Sequence, residues 1–283
     1  LSAIMKVSGT LDGTSDNSYK IVKEPKLGKA AIDPGSNVFE YSAPDKKTGT
    51  DSFEYQSLDS KGNVLSTGKV NVKVEKPSST VTFADMTDCY ANYAAVKLTE
   101  AGVLSGTELA GNKFFHPTNT VNRGEFLAML MTALEEDGDV STVSNTGLAD
   151  DKETPKWLKG FIKKSVDKGI ASGKTDKKDS TASFAPNDTI TRAEAAVMVN
   201  NALAVKLPSE VGLTYTDSES IPTWAYTAVS TLTNIKVMNG DNDNRVDPCG
   251  QLTRAEAAQL IYNAVKYKDS TNSSAYNVFS WFK

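Results

Sequence analysis

Arginine is rare in this chain, and its placement is regular. The chain has four arginines and 27 lysines, and Arg123, Arg192 and Arg254 stand at the same point of a segment that occurs three times. A guanidinium offers paired donors in one plane, which match a carboxylate or a phosphate, whereas a lysine offers a point charge. The placement therefore predicts that each segment uses its arginine to pair with an acidic group.

The three segments share further positions. Each opens with an aromatic or leucine two residues before an aspartate, continues with an aromatic residue and a glycine, and ends with a proline loop and the arginine. The aromatic residues are Tyr90, Trp157 and Trp224, and the glycines are Gly106, Gly173 and Gly240. The spacings from aromatic to glycine and from proline to arginine are constant, which predicts one supersecondary unit used three times.

Each unit is predicted to fold as helix, loop, helix. The first helix follows the aromatic residue and is expected to end at the glycine, which can adopt the left-handed conformation. The second helix is expected to begin with a capping box, in which a side chain and a glutamate three residues later bond each other's backbone N–H. The predicted caps are Asn122, Thr191 and Thr253, with the glutamates Glu125, Glu194 and Glu256.

The arginine falls in the first turn of this second helix. A cation opposes the helix dipole there, but the free backbone N–H groups of the turn could help it to bind an anion. Two roles stay open for the arginines, because they could instead pair with the opening aspartates Asp85, Asp150 and Asp217. The aromatic residues could likewise be core residues, and the glycines could act only at helix ends.

The three segments resemble S-layer homology domains, the triplet modules that anchor bacterial surface proteins to the cell wall and carry Thr-Arg-Ala-Glu as a signature. The resemblance covers residues 83 to about 267. It implies an all-α, pseudo-threefold domain, in which three helix-loop-helix units surround a central three-helix bundle.

The resemblance also implies a ligand. Grooves between neighbouring repeats would bind a secondary cell-wall polymer that ends in a pyruvylated amino sugar. The arginines would then pair with the carboxylate, the aromatic residues would line the sugar groove, and the glycines would let the backbone approach the ligand. The first copy departs from the pattern at Tyr90 and at Asn122-Arg-Gly-Glu125, so we expect unequal grooves.

The first 77 residues differ from the rest. Alternating runs at 19–22, 38–41, 52–55 and 70–74, separated by turn signals, predict strands of an all-β sandwich. The stretch from Gly49 to the closing strand resembles bacterial immunoglobulin-like and cadherin-like modules, and a spacer role is expected. Asp51 and Asp59 could hold calcium in such a module, but they could equally be ordinary turn residues, and calcium binding stays open.

These patterns predict five regions: an Ig-like or cadherin-like domain at 1–77, repeats at 83–136, 148–205 and 215–267, and a tail at 268–283. The first and third repeats would be neighbours in a closed arrangement, so Cys89 and Cys249 could form a disulfide; two free thiols are the alternative. Leu1 is not an initiator methionine, which predicts a piece of a longer chain.

The composition excludes several classes of function. The net charge is −4, without a broad basic face for nucleic acid, and no apolar run predicts membrane insertion. The one histidine, His116, and the absence of a Cys-x-x-Cys pair predict no metal, no cofactor and no enzymatic centre.

We therefore expect a non-enzymatic extracellular anchor at the bacterial cell surface, with the cell-wall glycopolymer as its partner. The alternative is a structural lattice protein of the S-layer, whose repeats mainly bind other surface-layer proteins. A surface hydrolase would need a catalytic domain elsewhere.

Overall fold

A computed structural model describes residues 6–10, 18–32, 38–42, 49–74, 81–138, 140–175, 182–205, 212–241 and 243–271. The chain divides into two compact units, Leu1–Thr80 and Val81–Lys283. The predicted tail therefore lies outside the described residues from residue 272 onward.

The N-terminal unit consists of two three-stranded antiparallel sheets. Its strands are β1 (Lys6–Thr10), β2 (Ser18–Lys23), β3 (Lys29–Ile32), β4 (Val38–Ser42), β5 (Gly49–Leu58) and β6 (Val64–Val74). The sheet orders are β1-β4-β3 and β2-β5-β6. All four alternating runs of the sequence lie within these strands.

The core of this unit is small and contains one buried carboxylate. Tyr41 on β4 and Phe53 on β5 are almost fully buried. Asp51 accepts hydrogen bonds from the backbone N–H groups of residues 26–28 at 2.8 to 3.0 Å and from the Tyr41 hydroxyl at 2.7 Å. Burial opposes ionisation, but these donors outweigh it and hold the pKa of Asp51 well below its usual range.

The predicted fold class is wrong. An immunoglobulin-type sandwich has about seven strands in sheets of four and three, whereas the described residues form two sheets of three, so an Ig-like module is not shown. The repeat region is not all-α either, because short hairpins lie between the helices of the first two repeats. They are β7 (Thr107–Leu109) with β8 (Asn112–Phe114), and β9 (Lys174–Thr175) with β10 (Ala182–Ser183). The chain is therefore mixed α and β.

The hairpins have a local cause. The loop between glycine and proline is long enough to fold back on itself, and Ala110 and Gly111 both adopt positive φ, as a tight two-residue turn requires. Sequence periodicity cannot detect strands of two or three residues.

The C-terminal unit contains six helices among its described residues. They are α1 (Asn92–Glu100), α2 (Arg123–Ala133), α3 (Lys156–Asp167), α4 (Arg192–Leu203), α5 (Thr223–Asn234) and α6 (Arg254–Thr271). The second helix of each repeat packs on the first helix of the next: α2 on α3, α4 on α5, and α6 on α1. The second helices also pack on one another, and their apolar residues Phe126, Val199 and Ile261, which stand at helical spacing behind the caps, are completely buried.

Three backbone hydrogen bonds close this ring at its centre. The N–H of Val121 donates to the Leu252 carbonyl, Leu252 donates to Ile190, and Ile190 donates to Val121, at 2.9 to 3.0 Å. Each of these residues stands two positions before the arginine of its repeat and is 0 to 1% exposed. Each repeat therefore contributes one donor and one acceptor, and the ring closes only when all three are in place.

The first helices end earlier than predicted. They stop at Glu100, Asp167 and Asn234, and the left-handed residue that follows is Gly102, Gly169 or Lys236. The expected ends at Gly106, Gly173 and Gly240 are therefore wrong. The chain needs these later glycines for another reason, which lies in the packing of each repeat.

Candidate functional site

The start of each second helix docks on the proline loop of the next repeat around the ring. The N–H groups that donate, with their carbonyl acceptors, are Gly124 to Pro186, Ala193 to Pro248, and Ala255 to Pro117, at 2.9 to 3.0 Å. We call the contact of repeat 1 with repeat 2 the first junction, that of repeat 2 with repeat 3 the second, and that of repeat 3 with repeat 1 the third.

A capping box opens each second helix at these junctions. The side chains of Asn122, Thr191 and Thr253 accept from the backbone N–H three residues later at 2.7, 3.2 and 3.3 Å. The glutamates Glu125, Glu194 and Glu256 accept in return from the cap N–H at 3.2, 3.1 and 2.8 Å. These bonds satisfy donors that a helix start leaves unpaired, so both cap and glutamate have a structural role.

The predicted groove aromatics are on the surface. Tyr90, Trp157 and Trp224 are 60, 59 and 60% exposed. Trp157 and Trp224 lie in the first turns of α3 and α5, and Tyr90 lies just before α1. Equal exposure at equivalent positions argues against a core role, because a folded protein gains by burying rings of this size.

A groove opens at the third junction. It has a volume of about 670 Å³ and is walled by repeat 1 residues, including Asp85, Asp88 and Tyr90, and by the repeat 3 cap residues Thr253 and Glu256. Desolvation raises the pKa of Tyr90 to about 12, and the Glu256 carboxylate adds to this effect while Arg192 opposes it. The phenol is therefore a neutral hydroxyl in a groove whose walls carry carboxylates.

The three arginines link neighbouring repeats. In each, Nε donates to a carbonyl of the next repeat: Arg123 to Phe184 at 3.1 Å, Arg192 to Val246 at 2.7 Å, and Arg254 to Phe115 at 2.9 Å. Each Nη2 donates to a second carbonyl, that of Ser172, Asn239 or Ser105. Each guanidinium therefore bonds two backbone carbonyls across a junction. Arg123, which is 4% exposed, is buried there.

Two arginines also pair with a glutamate of the next repeat. Nη1 of Arg123 is 3.3 Å from Glu194, and Nη1 of Arg192 is 2.9 Å from Glu256. The alternative pairing with the opening aspartates is not found among the described ion pairs. The prediction that the arginines contact a ligand carboxylate stays a prediction.

The opening aspartates hold the proline loops. Asp85, Asp150 and Asp217 each accept from two consecutive backbone N–H groups, at 2.7 to 3.0 Å. The second donor of each pair is His116, Ala185 or Asp247, and all three adopt positive φ. The sequence analysis missed this role, although the aspartate and the x-Pro loop occur together in all three copies.

The predicted groove glycines face the interior of their own repeat. A Cβ on Gly106 would stand 2.6 Å from the Phe83 ring, and one on Gly240 would stand 2.7 Å from the Tyr215 ring. In these two repeats the opening aromatic thus packs directly on this backbone, whereas a Cβ on Gly173 would stand 3.1 Å from Cβ of Ala182 in β10. The contact with the aromatic ring requires glycine without any ligand, and the predicted approach of a sugar to these residues stays a prediction.

The proposed disulfide is not formed. Cys89 and Cys249 are both free thiols in the structure. Cys89 lines the groove at the third junction, whereas Cys249 follows Pro248, which belongs to the second junction. The two residues therefore serve different junctions, although repeats 1 and 3 are neighbours.

Sequence reasoning also missed a compensating pair at the first junction. A Cβ on Gly124 would stand 2.5 Å from Cδ2 of Leu158, and Leu158 is 2% exposed. The equivalent positions hold Ala193 with Ala225 and Ala255 with Ala91. A larger residue on the first helix thus accompanies the glycine of Asn-Arg-Gly-Glu, a signal that aligning the repeats could have revealed.

Comparison with known proteins agrees with this arrangement. The family described as "S-layer homology domain" matches residues 148–196 and 214–258, which overlap the predicted repeats 2 and 3. The chain is 30% identical over 216 residues to Exoglucanase XynX of Acetivibrio thermocellus, covering 75% of this chain and 18% of that protein. It is 29% identical over 154 residues to S-layer protein EA1 of Bacillus anthracis, covering 54% of this chain and 17% of that protein.

A third relative is the Surface-layer 125 kDa protein of Lysinibacillus sphaericus, which is 27% identical over 187 residues, 64% of this chain and 14% of that protein. The chain thus spans less than a fifth of the length of these three relatives. The two matched segments are similar to S-layer homology domains. Together with the surface-layer relatives, this similarity indicates cell-wall binding, surface anchoring and an extracellular location at the cell surface. None of the helices in the described part of the chain has the length and apolar character needed to cross a membrane.

Proposed function

We propose that this chain anchors a bacterial surface protein by binding an acidic saccharide of the cell wall in grooves at the repeat junctions. The ligand class is a secondary cell-wall polymer that ends in a pyruvylated amino sugar. The repeat boundaries 83–136, 148–205 and 215–267 belong to this proposal, and the N-terminal unit serves as a spacer. The chain itself carries no catalytic role.

The observation that carries this proposal is the equal exposure of Tyr90, Trp157 and Trp224. An aromatic ring that is more than half exposed loses part of the hydrophobic stabilisation that burial would give it. Three such rings at equivalent positions favour a binding surface, and Tyr90 shares a groove with the cap residues Thr253 and Glu256 of repeat 3. A flat ring can stack on the apolar face of a sugar, while polar groups at its edge bond the hydroxyls.

The junctions also supply polar groups that suit such a ligand. At the third junction, Thr118 and Thr253 add hydroxyls to the wall that contains Tyr90. A guanidinium that already holds two carbonyls is fixed in position, so a further hydrogen bond to a carboxylate would require little additional ordering. This supports a role for arginine that combines junction structure with ligand binding.

The proposal can be tested by binding of the purified polymer before and after chemical removal of its pyruvate. We expect Tyr90→Ala, Trp157→Ala and Trp224→Ala combined in one chain to weaken binding at least about tenfold, equivalent to ~1.4 kcal/mol. Tyr93→Ala is the matched control, because Tyr93 is also exposed but packs edge-on against Tyr262 on the α1 and α6 helices. Equal binding by the triple variant and the parent would contradict the proposal.

A second candidate function is assembly of a surface lattice, which the relatives named as S-layer proteins favour. In that case the junctions would mainly contact other protein copies. Sedimentation of the chain with and without polymer separates the candidates. An anchor binds only pyruvylated polymer and stays monomeric in its absence, whereas a lattice protein assembles without the polymer and ignores its pyruvate.

A further inference from the structure

The three junction arginines differ at one nitrogen. Nη1 of Arg123 and Nη1 of Arg192 each contact a glutamate carboxylate, at 3.3 and 2.9 Å. Within the described chain, Nη1 of Arg254 has no carboxylate at ion-pair distance, although its Nε and Nη2 hold Phe115 and Ser105 as the other arginines hold their carbonyls. Of the three arginines, Arg254 thus has an Nη1 group to which no described carboxylate is bound.

The glutamates differ in the same way. Glu194 and Glu256 are partly covered and bound to arginine, and Glu194 also lies 3.2 Å from Lys174. Glu125, the equivalent residue of repeat 1, is exposed, and among the described residues its carboxylate accepts only from the N–H of Asn122. Burial lowers the pKa of Arg254, while Glu125 and Asp85 act in the opposite direction without contact. Arg254 is therefore a partly buried cation to which no described carboxylate is bound.

The closed order of the three repeats determines which arginine lies beside which exposed aromatic residue. At the third junction, Glu256 lines the same groove as Tyr90, and Nη1 of Arg192 is 2.9 Å from Glu256, so this ion pair lies beside the exposed aromatic. Arg254 bonds repeat 1 at the third junction through Nε and Nη2. Because the repeats are equivalent, we infer that its Nη1 edge points to Glu125 beside Trp157 at the first junction. The same equivalence sets the pair of Arg123 and Glu194 beside Trp224 at the second.

We propose that the chain binds one acidic saccharide, at the first junction, with Arg254 as the carboxylate donor and Trp157 as the sugar platform. Glu194 and Glu256 occupy the equivalent guanidinium edges at the other two junctions, as internal carboxylates that exclude an acidic ligand. This inference rests on the proposed function and assigns it to one of three grooves. The sequence could not make this assignment, because all three motifs contain both arginine and glutamate.

Calorimetric titration of the full chain with a glycoside of pyruvylated N-acetylmannosamine tests the assignment. We expect one site per chain. Trp157→Ala should weaken binding at least about tenfold, whereas Trp224→Ala should leave it within about twofold. The two tryptophans are matched, because both lie in the first turn of a first helix and are equally exposed.

A second variant tests the excluding role of the glutamates. Glu256→Gln keeps the capping box, which accepts glutamine, but removes the charge that occupies Arg192. We expect it to raise the stoichiometry from one site to two, whereas Glu125→Gln should leave it at one. A Glu256→Gln chain that still binds one ligand contradicts the role of Glu256.

The possible failures are distinguishable. If the folded parent binds neither the glycoside nor the pyruvylated polymer, the proposed function is rejected, and this inference with it. If the parent binds two or three ligands, or if Trp224→Ala abolishes binding as Trp157→Ala does, the function stands and the assignment to the first junction is rejected. Urea unfolding of every variant verifies that it is folded.

Discussion

Each junction arginine divides its donors between two tasks. Nε and Nη2 bond carbonyls of the next repeat, and Nη1 faces a carboxylate or stays uncommitted. Lysine could not replace it, because a single ammonium on a flexible stem cannot hold two fixed carbonyls and a third partner in one plane. The rarity of arginine in the sequence therefore reflects the geometry of the junction as well as charge.

Loss of a buried junction arginine should destabilise the C-terminal unit. Arg123→Ala leaves Glu194 and the Phe184 carbonyl without this donor, and we expect the free energy of unfolding to fall by about 3 kcal/mol. Urea unfolding followed by tryptophan fluorescence measures it. Arg245→Ala is the control, because Arg245 pairs with Asp241 and Asp243 on an exposed loop. An unchanged midpoint for Arg123→Ala would show that the junction does not depend on this side chain.

Asp51 should make the N-terminal unit sensitive to acid. Its folded pKa lies below the unfolded value, so its stabilising contribution is complete above about pH 5 and is lost progressively as the pH falls through the unfolded pKa of about 4 towards the folded one. We expect the urea midpoint, followed by the NMR signals of β5, to fall between about pH 5 and pH 3. In Asp51→Asn the midpoint should be lower at pH 7 and should fall less over that range, because only the other carboxylates of the unit, such as Glu54 and Asp59, still titrate. Parallel pH curves for the two proteins would reject this account.

At the scale of the elements, the sequence predicted the second helices better than the loops. The capping boxes have a fixed spacing, and they are present at α2, α4 and α6. The ends of the first helices were misplaced because Gly102, Gly169 and Lys236 turn the chain, and a lysine at positive φ leaves no sequence signal. The hairpins β7–β8 and β9–β10 are too short to show a period.

The packing of α2 on α3 depends on a matched pair of residues. Gly124→Ala alone would force Leu158 to move, and overpacking of this kind costs about 1–3 kcal/mol, more than the ~1 kcal/mol that alanine gains over glycine in a helix. Leu158→Ala alone should cost about 2–4 kcal/mol through the cavity it leaves.

The double variant restores the alanine pair of the other two junctions. We expect its free energy of unfolding to lie more than about 1 kcal/mol above the value that the two single changes predict by addition. Urea unfolding of the four proteins of the cycle measures this coupling. Strict additivity would mean that the two positions do not contact each other.

The sequence contains more information about the fold of the C-terminal unit than about that of the N-terminal unit. Three aligned copies made the repeat unit visible, whereas the N-terminal strands were predicted without their sheet order. Strand order depends on contacts between distant residues, such as Tyr41 with Asp51 and residues 26–28, which alternation does not encode. The Ig-like assignment failed at that step.

The closed ring should unfold as one unit. Because Val121, Ile190 and Leu252 bond one another, none of their amides can open without disturbing the other two repeats. We expect hydrogen exchange at these three amides to show equal protection, within about 1 kcal/mol of the global free energy of unfolding. Much faster exchange at Val121 than at Ile190 would show that repeat 1 opens by itself.

The three hydrogen bonds among Val121, Ile190 and Leu252 also have a mechanical consequence. A pull that arrives through the N-terminal unit enters the C-terminal unit at Val81, on repeat 1. Repeat 1 is held by repeat 2 on one side and by repeat 3 on the other, so the load divides between two seams that must rupture together. In an open row of three modules the outermost one would peel away across a single seam. The contact of repeat 3 with repeat 1 should therefore raise the force that this unit withstands before a repeat separates from it.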